Sequence, residues 1–199
     1  MKKNFLMLLT LISSTLFAQD FKTEIEKHRE EYKADFLKSP QSPLKEKDLE
    51  YLSFYEPNEK YKVECTFVAT KKQKTFQVPT SAGQTQAYTK FGELSFEIDG
   101  TKHKLAVYQS LSLRSVPQYR DYLFLPFRDL TNNKTTYGGG RYLDLRMKQM
   151  EGEKIYIDFN KAYNPYCAFG AGYSCPIPPK ENHLKIAIEA GEKIFAKDH

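Results

Sequence analysis

The chain has 199 residues, of which 40% are hydrophobic and 28% are charged, and its formal net charge is +5. A chain of this length forms one domain or at most two small ones. The composition excludes a multi-pass membrane protein, a collagen-like chain and a wholly disordered chain. The aromatic residues are unusual, because there are 14 Tyr and 14 Phe but no Trp.

Residues 1–18 have the pattern of a secretory signal peptide. Lys2 and Lys3 precede an apolar stretch from Phe5 to Ile12, and a small residue, Ala18, stands at the expected cleavage point. The stretch is short for a membrane span, so we expect cleavage rather than an uncleaved anchor helix. The mature protein would then be periplasmic or extracellular, with no transmembrane segment. Loss of both lysines lowers the net charge from +5 to +3, which is too weak and too dispersed for a nucleic-acid-binding surface.

Residues 19–60 are predicted to form a helix and a proline-containing linker that pack on a β-rich domain, residues 61–199. Between Asp20 and Ser39, side chains of one helical face recur at spacings of three and four, and they are Phe21, Ile25, His28, Tyr32 and Phe36. The residue before a proline avoids helical geometry, so Ser39-Pro40 should end the helix. We expect His28 to be a packed residue at the core edge rather than a ligand.

From Tyr61 onward the hydrophobic period changes to two, which is typical of half-buried strands. Asp99-Gly100 between two apolar runs is a strong β-hairpin signal. About eight short strands without βαβ spacing predict a mainly β fold, an antiparallel barrel or sandwich with one N-terminal α-helix. The candidate strands lie at 61–67, 74–78, 94–98, 105–108, 122–127, 141–145, 154–160 and 184–189.

A run of three glycines precedes Arg141. Such a run can present backbone N–H groups to an anion, but it also fits a bend or bulge where a strand turns a corner, which we favour. On a strand, Arg141 would share an apolar face with Leu143 and Leu145, and an unpaired buried charge is costly. Asp158 and Asn160 are its candidate partners, in either a structural ion pair or the polar lining of a pocket.

The cysteines allow more than one arrangement. Cys65 alternates with apolar strand residues and is expected to be a buried free thiol. Cys167 and Cys175 could form a disulfide, which would stabilise the fold by about 2.5 kcal/mol for so short a loop, or they could be free thiols. A metal site with His183 is a third possibility, but its spacing matches no recognised zinc pattern. We therefore predict no metal and no cofactor.

Four blocks of the sequence resemble a bacterial and archaeal group, domain-of-unknown-function family 1684. The blocks are RYLDL at 141–145, DFNKAYNPYC at 158–167, CPIPPKEN at 175–182 and AGE at 190–192. The resemblance covers most of the mature chain and implies no established activity. It implies these signature residues: Arg141, Asp158, Asn160, Asn164, Cys167, Cys175, Glu181, Asn182 and Glu192. Members without an export signal keep both cysteines, and the position of His183 is more often Arg, which counts against a metal there.

These features together predict a small exported binding or accessory protein with a polar pocket formed by the C-terminal motifs. Its ligand would be a small polar or anionic molecule recognised through Arg141. Six tyrosines lie between residues 137 and 173, and they suit a pocket wall because each combines an apolar body with a polar tip. The candidate ligand-binding residues are Arg141, Asp158, Asn160, Tyr163, Asn164, Glu181 and Asn182.

Two other functions fit the same residues. The first is a hydrolase-type enzyme that uses Cys167 as nucleophile, or Asp158 and Glu181 as general acid and base. The second is a purely structural domain in which the motifs are folding determinants. The sequence gives no oligomeric state.

Overall fold

The computed structural model describes residues 3–197, with side chains from residue 19 onward. Residues 1 and 2 and the side chains of the predicted signal peptide lie outside this described part. Among the described residues, no helix combines the length and the apolar character that a membrane span needs.

The N-terminal helix, α1 (Lys3–Lys38), ends directly before Ser39-Pro40 as the sequence predicts. Its inner face carries Ile25 and Phe36, which are buried. Phe36 packs with Leu44 and Leu52 from the following linker. The predicted apolar face therefore attaches both the helix and the linker to the rest of the chain.

The sheet has seven strands, all paired antiparallel and curled into a half-barrel, which confirms the mainly β prediction. The strands are β1 (Lys62–Ala69), β2 (Thr75–Pro79), β3 (Thr85–Ile98), β4 (Thr101–Ser110), β5 (Tyr122–Phe127), β6 (Arg141–Arg146) and β7 (Ile155–Asp158). Their order in the sheet is β6-β5-β4-β3-β1-β7, and β2 also pairs with β3. A short helix, α2 (Leu111–Arg114), follows β4.

The predicted hairpin at Asp99-Gly100 joins β3 to β4. Both residues have positive φ, 50° and 73°, which is the backbone geometry of a two-residue type I′ turn. Ile98 and Thr101 pair directly across the turn. The turn residues therefore set the register of the longest pairing in the sheet.

Alternation along β6 sends its side chains to two different places. Leu143 and Leu145 join the main core. Tyr142 and Asp144 lie on the opposite face and line a cleft beneath α1. Because successive side chains of a strand point to opposite faces, this one strand contributes both to the core and to a surface site.

The expected strand at 184–189 is wrong. This segment pairs only briefly with the chain that follows β5, where Leu184 donates its N–H to the carbonyl of Arg128. Farther along, the carbonyl of Ile188 accepts a hydrogen bond from the Arg141 side chain instead of from a neighbouring strand. The segment is apolar because it covers the core, and a side chain rather than a ladder satisfies part of its backbone.

Candidate functional site

Arg141 is fully buried and forms an ion pair with Asp129. Both side chains are 0% exposed, and Arg141 Nη2 lies 2.8 Å from Asp129 Oδ2. The prediction that Asp158 or Asn160 pairs with Arg141 is therefore wrong, although its placement on the apolar face of β6 is right. The sequence could not identify Asp129, because this residue lies in a loop outside the motifs.

The same guanidinium holds the C-terminal segment in place. Its nitrogens donate to the carbonyls of Ile188, Ala190 and Glu192. The guanidinium carbon also lies 5.3 Å from the centre of the Phe127 ring. Its Nη1 and Nη2 atoms are directed at these groups and its side chain has no exposed surface, so Arg141 has no access to a small ligand.

The glycine run forms a bend that leads into β6. Gly140 has a φ of +96°, and a Cβ there would lie 2.7 Å from the carbonyl oxygen of Phe127. Arg128 donates to the carbonyl of Gly138. Close backbone approach thus accounts for the glycine at position 140.

The side-chain amides of three motif asparagines form hydrogen bonds to backbone groups of other segments. Asn160 accepts from the N–H of Asn58 and donates to its carbonyl. Asn182 does the same to Ala106 and also donates to the carbonyl of Pro126, so it bridges β4 and β5. Asn164 donates from its side chain to the carbonyl of Lys193. All three are buried, and each joins segments that lack a regular ladder.

The two candidate carboxylates are committed to separate structural contacts. Asp158 accepts from the N–H of Asn160 and caps a 3-10 turn. Glu181 accepts from the Tyr108 hydroxyl at 2.7 Å and pairs with Lys90 at 2.6 Å. Neither residue lines the cleft, and no shared site brings them together as a general acid and base.

A disulfide joins Cys167 to Cys175, while Cys65 is free and buried. Burial raises the pKa of the Cys65 thiol to about 12. His183 contacts the carbonyl of Pro178 through its Nε2. Within the described part of the chain, no group of three His, Cys, Asp or Glu side chains could hold a metal ion.

Glu192 links α1 to the end of the chain. Its Oε2 accepts from the Tyr32 hydroxyl at 2.9 Å and from the N–H of Asn164 at 2.8 Å. Burial raises the pKa of Glu192 to about 8, although these hydrogen bonds act in the opposite direction. Its Oε1 and the Oδ1 of Asn164 are buried without a hydrogen-bond partner among the described residues, and a proton on the carboxyl would supply a donor there.

A cleft of about 670 Å³ lies between α1, β6 and the loop that follows β7. We call it the tyrosine cleft, because five tyrosines line it. Its volume lies in the range of small-molecule sites, about 300–1,000 Å³. The lining residues are His28, Glu31, Tyr32, Asp35, Tyr142, Leu143, Asp144, Lys161, Tyr163, Pro165, Tyr166, Tyr173, Ser174, Cys175 and Pro176.

Asp144 is the acidic group that β6 contributes to the tyrosine cleft. Its Oδ1 accepts from the hydroxyls of Tyr122 at 2.7 Å and Tyr163 at 2.5 Å. Desolvation by neighbouring protein atoms raises the pKa of its carboxyl, even though both hydrogen bonds lower it. The side chain is nevertheless accessible from the cleft, so it can contact a ligand.

Two further ionisable groups, His28 and Lys161, lie on the cleft wall. Burial and the neighbouring charge of Lys161 lower the pKa of His28, which favours the neutral imidazole at pH 7. Lys161 itself directs its Nζ to Glu24 at 2.6 Å. The expectation for His28 is met only in part, because it is half-buried and also lines the cleft.

Of the seven predicted ligand-binding residues, only Tyr163 lines the tyrosine cleft. Asp144 also lines the cleft, although it was not among the predicted ligand-binding residues. Two signals could have found it: strand alternation places it with Tyr142 on the face opposite the core, and the tyrosine enrichment surrounds it. The contribution of Tyr32 from a helix more than 100 positions away could not be read from local sequence.

Comparisons with known proteins agree with the resemblance of the four blocks. The profile of the family described as "Protein of unknown function (DUF1684)" matches residues 47–193. The chain is also similar to an uncharacterized protein of Haloarcula marismortui solved by solution NMR, with 32% identity and a TM-score of 0.67. That match covers 88% of this chain and 95% of the other. A search of curated proteins gives no significant match.

Proposed function

Because the chain belongs to the DUF1684 family, whose function is unknown, we propose a function from the site itself: it is a small-molecule-binding protein, and the tyrosine cleft is its binding site. One observation carries this proposal. An accessible carboxylate, Asp144, lies in a cleft of about 670 Å³ whose wall includes five tyrosines. An apolar, concave surface with a few directed polar groups is the usual composition of a ligand site.

The location of the site differs from the pocket expected of the C-terminal motifs. Those motifs supply part of the cleft wall through Tyr163, Tyr166 and Cys175. The charged and amide side chains that were predicted to bind ligand instead hold the loops that carry the wall. In this account the motifs support the site, and the cleft-facing side chains of α1 and β6 complete it.

A thermal-shift screen with chemically diverse small polar compounds tests this function. Glu31 lies on the cleft wall and makes only an exposed ion pair with Lys27 at 3.9 Å, so Glu31→Trp should fill the opening without disturbing the fold. Compounds that raise the melting temperature of the unmodified protein should have no effect on this variant. Glu30→Trp is the matched control, because Glu30 is on the same helix but does not line the cleft.

Two results of the screen would contradict the proposed function. If compounds stabilise Glu31→Trp as strongly as the unmodified protein, they bind elsewhere and the cleft is not the site. If no compound of the screen stabilises the unmodified protein, the purely structural interpretation is favoured.

Export is a second part of the proposal, supported by the pattern of residues 1–18. Cleavage after Ala18 would leave Gln19 as the first residue, and the helix side chains that line the cleft all lie beyond it. The intact mass of protein recovered outside the cytoplasm should correspond to residues 19–199. Recovery of the full-length mass in the cytoplasm would contradict export.

A further inference from the structure

The charge of the tyrosine cleft is the first clue to its ligand. Three acidic residues, Glu31, Asp35 and Asp144, line it. The basic side chain on its wall, Lys161, is engaged with Glu24 at 2.6 Å. Glu31 pairs with Lys27 at 3.9 Å and Asp35 with Lys38 at 2.8 Å, whereas Asp144 forms no ion pair with a described residue. A cation in the cleft would therefore meet the unneutralised carboxylate of Asp144.

The hydrogen bonds of Asp144 also favour a ligand with a positive charge. Tyr122 and Tyr163 both donate to Oδ1, and Oδ2 accepts no hydrogen bond from any described side chain or backbone group. These two hydroxyls hold the carboxylate in one orientation and leave its second oxygen available. A fixed carboxylate oxygen without a donor is complementary to a ligand that brings a positive charge or a donor of its own.

The tyrosine rings provide the surfaces that organic cations prefer. The rings of Tyr142 and Tyr163 are perpendicular, with centres 5.9 Å apart. The rings of Tyr166 and Tyr173 are also nearly perpendicular, at 79° and 5.4 Å. All four tyrosines line the same cleft, and several aromatic rings around one space are the arrangement that binds alkylated ammonium groups in aromatic cages.

We propose that the tyrosine cleft binds a small organic cation, whose ammonium group lies against Asp144 and whose carbon substituents lie against the tyrosine rings. This inference rests on the proposed function, because it requires the cleft to be a ligand site. The proposed cation replaces the anionic ligand that the sequence predicted to bind Arg141, because the Arg141 side chain is fully buried.

A matched pair of probes separates charge from shape. Choline carries a trimethylammonium group, and 3,3-dimethylbutan-1-ol is its uncharged analogue of similar shape. By isothermal titration calorimetry at pH 7, choline should bind at least tenfold more tightly than the neutral alcohol. Asp144→Asn should weaken choline binding at least tenfold, because it removes the charge but keeps an acceptor for both tyrosine hydroxyls.

The control variant is Asp99→Asn, which removes an exposed carboxylate at the hairpin tip and should leave choline binding unchanged. Equal affinity for the two probes, or unchanged affinity in Asp144→Asn, would overturn the cationic ligand while leaving the cleft as a binding site. Failure of both probes to bind the unmodified protein would also overturn it. The proposed function fails separately, if screen hits still bind to Glu31→Trp.

Discussion

At the scale of single residues, Arg141 is a buried charge whose donors hold other parts of the chain together. It neutralises Asp129 and satisfies carbonyls of the C-terminal segment. In Arg141→Met, the carboxylate and these carbonyls would stay buried without their partner. Breaking a buried pair from one side costs about 3–5 kcal/mol, so we expect a loss of this size in the free energy of unfolding measured with urea.

Arg146→Met is the matched control for that measurement. Arg146 pairs with Asp121 at 2.7 Å, but both side chains are about half exposed. Exposed pairs contribute about 0–1 kcal/mol, so this variant should lose no more than that. A small loss in Arg141→Met, together with loss of ligand binding, would instead assign Arg141 to the site.

Glu192 should make stability depend on pH. An unfolded glutamate has a pKa of about 4.3, and burial raises the pKa of Glu192 to about 8 in the folded protein. The folded state therefore binds more protons between these values. The stabilising contribution of this group is complete below about pH 4.3 and is lost as the pH rises toward 8, with a slope of up to about 1.4 kcal/mol per pH unit.

The comparison with Glu192→Gln isolates this effect. The amide cannot ionise, so the free energy of unfolding of this variant should fall less steeply between pH 5 and 8. The lowered pKa of His28 contributes with the opposite sign in both proteins, and its contribution cancels in the difference. Parallel pH profiles for the two proteins would show that Glu192 does not titrate in this range.

At the scale of elements, the disulfide loop carries part of the cleft wall. Tyr166 and Tyr173 lie next to or inside the loop closed by Cys167 and Cys175. Closing a loop of this length stabilises a protein by about 2.5 kcal/mol in the chain-entropy account. The double variant Cys167→Ser/Cys175→Ser should lose that much stability and should also bind choline more weakly, because its tyrosines are less restrained.

A reductant provides the control for the disulfide prediction. Dithiothreitol should lower the urea midpoint of the unmodified protein toward that of the double variant and leave the variant unchanged, since Cys65 is a free thiol. An unmodified protein that is insensitive to the reductant would contradict a stabilising disulfide.

The elements also show why polar motifs in this chain are difficult to interpret from sequence. Asn160 and Asn182 are the kind of residues that line binding sites, yet each pairs with both the N–H and the carbonyl of a distant residue. An asparagine amide carries the same donor and acceptor as a peptide bond, so it can replace a missing ladder contact. Only the relative placement of segments distinguishes this role from ligand binding.

At the scale of the whole molecule, the local sequence pattern was sufficient for much of the fold. It predicted the end of α1 from Pro40, the hairpin from Asp99-Gly100 and the two faces of β6 from strand alternation. It was wrong for 184–189, because covering a core and forming a strand require the same apolar pattern. Long-range polar pairing, such as that of Arg141 with Asp129, was not accessible because neither residue type nor spacing specifies a distant partner.

The candidate site was predicted only in part for the same reason. The segment enriched in tyrosines supplies four of the five tyrosines that line the cleft, and Tyr163 is one of them. The contribution of α1 depends on how the helix packs across the sheet. The sequence of either element alone does not contain that information.

The central claim is that ligand recognition occurs in the tyrosine cleft, while buried polar residues such as Arg141 and Asn182 maintain the fold. A choline titration followed by ¹H–¹⁵N chemical-shift mapping tests it most directly. The account predicts that the largest shifts fall on the amides of residues 28–35, 142–144, 163–164, 166 and 173–175, with little change at Asn182 or Ile188. Shifts concentrated around Arg141, Asn182 and Ile188, with the cleft amides unchanged, would contradict it.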